Sequence, residues 1–222
     1  MQFNPKFLTR QLDLIPLENL GQKITIIGAG AIGSHTALAL ARMGFGNLEI
    51  WDYDVVSEEN MNNQGYYIDQ IGTSKVEALA SMIKRAMGFD VKVVNDIYTG
   101  NQETLAGSIV IAAVDSMTAR KIIWKAVKES TATMFIDPRM GAESALLYVR
   151  RPDEVKSYEA TLYTDDQAVR ESCTAKSTIY CANLLSGIVV KAVKDIVLGE
   201  NYTRTVEWSI KDNGIIIYKK DD

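Results

Sequence analysis

Cysteine is almost missing from this chain: Cys173 and Cys181 are the only two among 222 residues. They are too few for a four-cysteine structural zinc site, they do not stand at a two-residue spacing, and a disulfide scaffold is equally excluded. Long apolar runs are missing as well. No stretch approaches the ~18 apolar residues of a membrane span, and "MQFNPKFLTRQLDLIPLENLGQK" lacks the apolar core of a signal peptide. A cytoplasmic protein with no membrane partner is therefore expected. Nor is there an excess of positive charge. The formal net charge of −4 and pI near 5.2 argue against a dominant nucleic-acid function, which needs a basic surface. Internal repeats and low-complexity linkers are absent too. With 47% hydrophobic residues, 222 residues can bury one substantial core, so one elaborated α/β domain is expected.

What is there begins with "IIGAGAIGSHTALALARMGFGNLEIWDYD", Ile26 to Asp54. A strand-like run, Ile24 to Ile27, leads into Gly28, Gly30 and Gly33. A helix-like stretch follows, then a second strand, Leu48 to Trp51, ending at Asp52. This is a dinucleotide fingerprint with its acid about 20 residues on. Gly28 permits the tight turn, Gly30 lets the backbone approach a phosphate, and Gly33 allows close helix–sheet packing, with amides at the helix start facing the anion. Asp52 would hydrogen-bond a ribose hydroxyl. NAD, FAD and ATP all carry a ribose and a phosphate chain, so the fingerprint does not choose among chemistries. His35, the only histidine, lies one turn into the glycine-loop helix and reads as a helix-face residue near the nucleotide, not as a general base.

The pattern then alternates. A polar connection, Asp54 to Thr73, is too long for a simple strand-to-helix turn and is a candidate functional loop. "SKVEALASMIKRAMG" reads as a helix with Ser74 as N-cap and Gly88 at its end. "VKVVNDIY" reads as a strand, "NQETLAG" as a short helix, and "SIVIAAVD" as a buried strand of the kind found in parallel sheets. "SMTARKIIWKAVKES" is the next helix and "TMFIDPR" the next strand, while "GAESALLYVRRP" and "YEATLY" read as strands added at one end. "STIYCANLLSGIVVKAVKDIVLG" has a long helical period. "TRTVEWSI" and "GIIIYKK" form a hairpin through Asp212, Asn213 and Gly214. The expected fold class is α/β: a Rossmann-like, mainly parallel sheet with helices on both faces and antiparallel strands added at one end. Residues 1–22 would form an N-terminal arm, 23–140 the nucleotide-binding core, and 141–222 the antiparallel extension, cysteine segment, long helix and hairpin.

Asp115 closes the strand "SIVIAAVD". The carboxyl edge of an open parallel sheet is where ligands bind, so Asp52 and Asp115 would face one crevice. A carboxylate there suits Mg²⁺, a hard cation commonly held by one or two carboxylates plus substrate phosphates. Asp115 could equally cap the helix that follows.

The residues now carry a resemblance. "GAGAIG", the acids Asp52 and Asp54 of "WDYD", "NMNNQ" from Asn60 to Gln64, "GTSKVEA" around Lys75 and "VIAAVDSMTARKII" around Asp115 resemble the adenylation domain shared by ubiquitin-activating enzymes and the ThiF/MoeB/HesA superfamily. The order and spacing match over roughly residues 1 to 130, and "CTAKSTIYCANLLSGIVVKAVKDI" is similar to the cysteine segment and long helix that follow in those proteins. "LTRQ", Leu8 to Gln11, is similar to the N-terminal Arg–Gln element of the bacterial members. The resemblance implies ATP- and Mg²⁺-dependent adenylation of a carboxylate, usually the C-terminus of a small ubiquitin-like or sulfur-carrier protein, or of a peptide. It further implies that Asp52 holds ribose, Lys75 and Gln64 reach the phosphates, Asp115 holds Mg²⁺, and Arg10 acts on a neighbouring subunit's site, which would make a homodimer functional. Against these roles stand plain ones: a solvated lysine at a helix start, a surface ion pair for Arg10, and turn formation for Asn60 and Asn63.

The departures bear equally on function. Where most members have Arg before the loop Gln, this chain has Asn63, which removes a planar cation from the phosphate site. Arg10, Lys75 or Arg139 of "DPRMG" would have to supply the charge. The zinc cysteine pairs of several relatives are absent, and no separate catalytic-cysteine or ubiquitin-fold domain fits the length. Cys173 in "ESCTAKS" is similar to the position of a thioester- or persulfide-forming cysteine, with Arg170 and Lys176 near enough in sequence to favour a thiolate; adenylation alone needs none. Cys181, inside an apolar helix, reads as structural. Two alternatives stay open: a non-catalytic nucleotide-binding partner subunit, and an NAD(P)-dependent oxidoreductase.

Overall fold

A computed structural model of the chain describes residues 3–141, 143–163 and 177–218. Its frame is one eight-stranded sheet in the order β3-β2-β1-β4-β5-β6-β7-β8. The strands are β1 (Ile24–Ile27), β2 (Leu48–Trp51), β3 (Lys92–Val94), β4 (Ile109–Ala112), β5 (Met134–Gly141), β6 (Ser144–Arg150), β7 (Thr205–Ser209) and β8 (Gly214–Tyr218). The pairs from β3 through β5 are parallel. Those from β5 to β8 are antiparallel. This is the mainly parallel sheet with an antiparallel end that the strand pattern predicts.

The central strands β1 and β4 are buried at every position, which is why they read as continuous apolar runs and not as alternating ones. Alternation still decides which layer each side chain enters. Ile24, Ile26, Ile109 and Ile111 join a core with α1 (Ala31–Arg42), α2 (Lys75–Met87) and α5 (Ile179–Val197). Ile27, Val110, Ala112 and Phe135 face the opposite way, onto α3 (Met117–Glu129) and Tyr158 of α4 (Val155–Glu159). Helices thus cover both faces. A buried hydrogen bond from Ser186 Oγ to Ile32 O, 3.1 Å, joins α5 to the first turn of α1.

Local signals explain most boundaries. Gly88 ends α2 at φ 80°, a left-handed C-cap that costs glycine no Cβ clash. Ser74 precedes α2 as expected, but it makes no side-chain cap bond. The β7–β8 hairpin turns where Asp212, Asn213 and Gly214 predict it, with Asn213 at φ 53°. "VKVVNDIY" contributes only the three residues of β3. "NQETLAG" forms a 3₁₀ turn, Gln102–Leu105, held by Asn101 accepting from Glu103 N.

One expected strand is not one. "YEATLY" contains the end of α4 and a turn, because Tyr158 is drawn fully inside against Trp124 and Phe135 while Trp124 Nε1 donates to Glu159. The N-terminal arm is anchored, not loose: Leu8, Ile15 and Leu20 are buried in the main core, and Gln11 donates to Met43 O. Among the described residues no helix is long and apolar enough to cross a membrane.

Candidate active site

Three chain segments leave the sheet side by side at its carboxyl edge. Ile27, the last residue of β1, pairs with Trp51 on one side and Ala112 on the other. The glycine loop, Asp52 and the turn carrying Asp115 therefore emerge together. Because β1 sits between β2 and β4, this is also where the strand order reverses, the crevice in which doubly wound sheets bind ligands.

The glycines shape a cradle with one open side. Gly28 has φ 99°, and a Cβ there would lie 2.3 Å from Ala113 O. A Cβ on Gly33 would lie 1.9 Å from Gly28 O, so only glycine lets α1 pack this close. At Gly30 a Cβ would meet nothing within 4 Å. The loop is closed by protein at Gly28 and Gly33 and open where a phosphate is expected. Helix α1 begins here with no side-chain cap and no acidic residue in its first turn. Its free amides are left for an anion.

Asp52 is held before any ligand arrives. Its Oδ2 accepts from Ala29 N at 2.6 Å and its Oδ1 from Asp54 N at 2.8 Å, which ties the second strand to the glycine loop. Each oxygen retains a lone pair for a hydroxyl donor. Tyr66 braces the same loop by donating to Ala29 O at 2.6 Å. Burial, then the charges of Asp52 and Asp54, push its phenol far above the usual range, so it stays a neutral donor. Asp54 pairs with Lys75 at 2.8 Å, and the Lys75 amide donates to Asp54 O. Lys75 is 6% exposed. The solvated lysine considered from the sequence is therefore ruled out; Asp54 takes one of its three donors.

The "NMNNQ" loop divides its asparagines. Asn60 Oδ1 accepts from Ser57 N at 3.0 Å and closes a turn, the plainer of its two expected roles. Asn63 Nδ2 donates to Ser177 Oγ. The Asn63 Oδ1 and Gln64 Oε1 atoms are buried without a hydrogen-bond partner among the described residues. Orphaned acceptors of this kind call for an explanation such as a missing ligand or water. His35 Nε2 lies 3.2 Å from Asn63 O, and burial, against that hydrogen bond, lowers its pKa and keeps the ring neutral at pH 7.

Asp115 is exposed, and its carboxylate has no partner among the described residues. The helix-cap alternative fails, because Ser116 caps α3 by accepting from Ala119 N at 3.1 Å. Arg139 is not brought to this crevice as a free cation. Its Nε donates to Asp137 at 2.8 Å, and its two terminal nitrogens donate to Thr161 at 2.8 and 2.9 Å, so the guanidinium is spent in a buried network. Arg10 is exposed, with no side-chain partner among the described residues. Cys173 lies outside the described residues. Cys181 is fully buried, and burial, then Glu143, pushes its thiol up to about 11. In native protein at pH 8 Cys181 is therefore expected to resist iodoacetamide for hours and to react fully in denaturant, as mass mapping of the alkylated peptide would show.

Tyr66 and Arg120 went unremarked in the sequence. Tyr66 stands two residues past Gln64, and Arg120 ends the quoted run "VDSMTAR". Neither has a local pattern that marks a tether.

The ThiF family profile matches residues 10–213. The ubiquitin-like modifier-activating enzyme 5 of Aedes aegypti is 33% identical over 136 residues, covering 53% of this chain and 34% of that protein. The chain thus spans about one third of the length of the curated relatives it matches. Among solved structures, PaaA superposes with a TM-score of 0.77 at 21% identity over 96% of this chain and 72% of that one. Escherichia coli MccB with ATP gives 0.74 at 16% identity over 90% and 65%. At these identities the two structures speak for the fold.

Proposed function

Since the chain belongs to the ThiF family, whose domain is of the adenylyltransferase type, we propose that it uses ATP and Mg²⁺ to adenylate a carboxylate. The acceptor is the C-terminus of a small ubiquitin-like or sulfur-carrier protein or of a peptide. Residues 1–222 are read as one adenylation domain working in the cytoplasm. The observation that carries this reading is the convergence of the open glycine cradle, Asp52 and Asp115 on one sheet edge. Relatives that activate ubiquitin-like modifiers, and a fold neighbour crystallised with ATP, support it.

The residues fit both groups. The uncapped start of α1, the open side of Gly30 and the buried cation of Lys75 suit a phosphate chain. Asp52, prealigned by two amides, would take the ribose. Asp115 is a single carboxylate unpaired among the described residues, which matches how Mg²⁺ is usually held, by one or two acids plus substrate phosphates. Gln64 Oε1 adds an acceptor without a donor. Mg²⁺ when bound would neutralise charge on the phosphates.

The chemistry asked of the chain is modest. A carboxylate is already a nucleophile, so attack on the α-phosphate needs no general base, which agrees with a neutral, half-buried His35. The site has to align two anions and offset their charge. Lys75 contributes a desolvated cation whose position Asp54 sets. Asn63 contributes none, being an amide where the family resemblance implies Arg. That observation favours the second reading, a non-catalytic nucleotide-binding partner subunit. Carboxylate-dependent ATP–pyrophosphate exchange separates the two.

Nucleotide choice is the first test. ATP with Mg²⁺ at about 100 times its Kd should raise the Tm by roughly 5–10 °C, whereas NAD and NADP at equal concentration should leave it unchanged. A rise with NAD and none with ATP would sink the adenylation reading in favour of an oxidoreductase.

A further inference from the structure

We infer that Arg120 is a positioning residue for Asp115: its guanidinium ties the end of β4 to β5 and fixes the backbone from which the Asp115 carboxylate projects. The inference rests on the reading of Asp115 as the metal-facing acid.

The strand ladder stops just short of the site. Ala113 N, one residue past β4, still donates to Ile27 O at 2.8 Å. One residue on, Val114 O accepts from Arg120 Nη1 at 2.7 Å. Arg120 Nη2 donates to Pro138 O on β5 at 3.3 Å, and Nε makes an ion-pair contact with Asp137 Oδ1 at 3.3 Å. One side chain from the second turn of α3 thus reaches back over the Asp115 turn and closes it into a ring with the neighbouring strand. Backbone carbonyls at a strand end usually find water or a ligand. Here a buried cation, at 5% exposure, takes Val114 O just past β4 and Pro138 O, which lies inside β5 but beyond its last pair with β4.

A buried guanidinium needs compensation, and Asp137 provides it from a fully buried position. Asp137 is itself oriented: Arg139 Nε and the Tyr158 hydroxyl both donate to its Oδ2 at 2.8 Å. The order of support is Tyr158 and Arg139 to Asp137, Asp137 to Arg120, and Arg120 to the carbonyl that precedes Asp115. This also gives a use to the network that holds Arg139 away from the crevice. Only a planar fork serves two carbonyls and an acid at once; a lysine ammonium in its place would keep the charge but satisfy one carbonyl at most. A carboxylate displaced by about 1 Å can cost on the order of 10²-fold in rate.

The test uses R120K, D137N and D115A in the full chain. In unliganded protein, amide hydrogen exchange over 113–118 should rise roughly ten-fold in R120K, with β1 and β2 unchanged. By calorimetry, metal-free ATP affinity should stay within about two-fold of wild type, while the gain in affinity on adding Mg²⁺ is lost as it is in D115A. The D115A/R120K double variant should be no weaker than D115A alone. If R120K fails to fold, D137N, which keeps the side-chain shape, should give the same split. Unchanged exchange over 113–118, or a full Mg²⁺ gain in a folded variant, overturns the inference. If D115A itself keeps the Mg²⁺ gain, it is the Asp115 reading that fails, and exchange alone then judges the tether.

Discussion

Asp115→Ala is expected to abolish carboxylate-dependent ATP–pyrophosphate exchange while leaving a folded chain. Both halves of that result follow from position. The side chain is exposed and makes no hydrogen bond or ion pair among the described residues, and the cap of α3 belongs to Ser116. Its removal should therefore move the Tm by no more than about 2 °C. The site, by contrast, would lose the one free carboxylate the structure sets at the end of β4 among the described residues. An acid that holds a charge-offsetting metal at the reacting phosphates is expected to be worth about 10²–10³ in rate, as preorganised electrostatic groups are elsewhere. Exchange near the wild-type rate in the folded variant would show that Asp115 is not the metal ligand. The measurement needs the true carboxylate substrate, and a small carrier protein or peptide encoded near this gene is the first to try.

Much of the site was legible because its signals are local. The ends of β1 and β2 match the sequence reading residue for residue, since an apolar run followed by Gly28 and another followed by Asp52 bracket strands on both sides. Glycine spacing predicted the cradle, and the structure gives it reasons: backbone oxygens stand where Cβ atoms at Gly28 and Gly33 would be. What stayed hidden depends on partners distant in sequence. Tyr158 starts "YEATLY", which alternates like a strand, yet its ring is claimed by Trp124 and Phe135 from other elements. Arg139 ends the strand read from the sequence and invites a role at the ligand edge, but it lies inside β5, where Asp137 two residues earlier shares its face and takes the guanidinium. That spacing was in the sequence, and strand alternation could have exposed the pairing. Leu8 and Ile15 stand seven apart, yet the arm forms only short 3₁₀ turns, and its anchoring rests on partners distant in sequence, such as Met43 and the main core.

The fate of Arg139 raises the weight on Arg10. Asn63 brings no cation to the proposed phosphate site, Lys75 is already paired, and Arg139 is spent. Arg10 is exposed on an arm whose buried leucines fix it in place, so it is presented outward from a firm base. The active form is accordingly expected to be a homodimer in which each Arg10 completes the other subunit's site. An arginine set on developing phosphate charge can be worth on the order of 10³ in rate. Arg10→Ala and Asp115→Ala homodimers should then each be inactive, and subunit exchange between them should restore activity. Each mixed dimer has one site with an intact Asp115 and an Arg10 from the other chain, together with one site lacking both. At full exchange half the dimers are mixed, and each carries one working site of two, so recovery should approach about one quarter of the wild-type rate. Full activity in Arg10→Ala alone would mean that Arg10 supplies no cation to the reaction, and inactive parents with no recovery after exchange is verified by mass would mean that Arg10 serves its own subunit and not its partner. A wild-type chain that binds ATP yet shows no exchange would favour the non-catalytic reading, because a site short of one arginine can still bind nucleotide through the α1 amides and Asp52 without accelerating transfer.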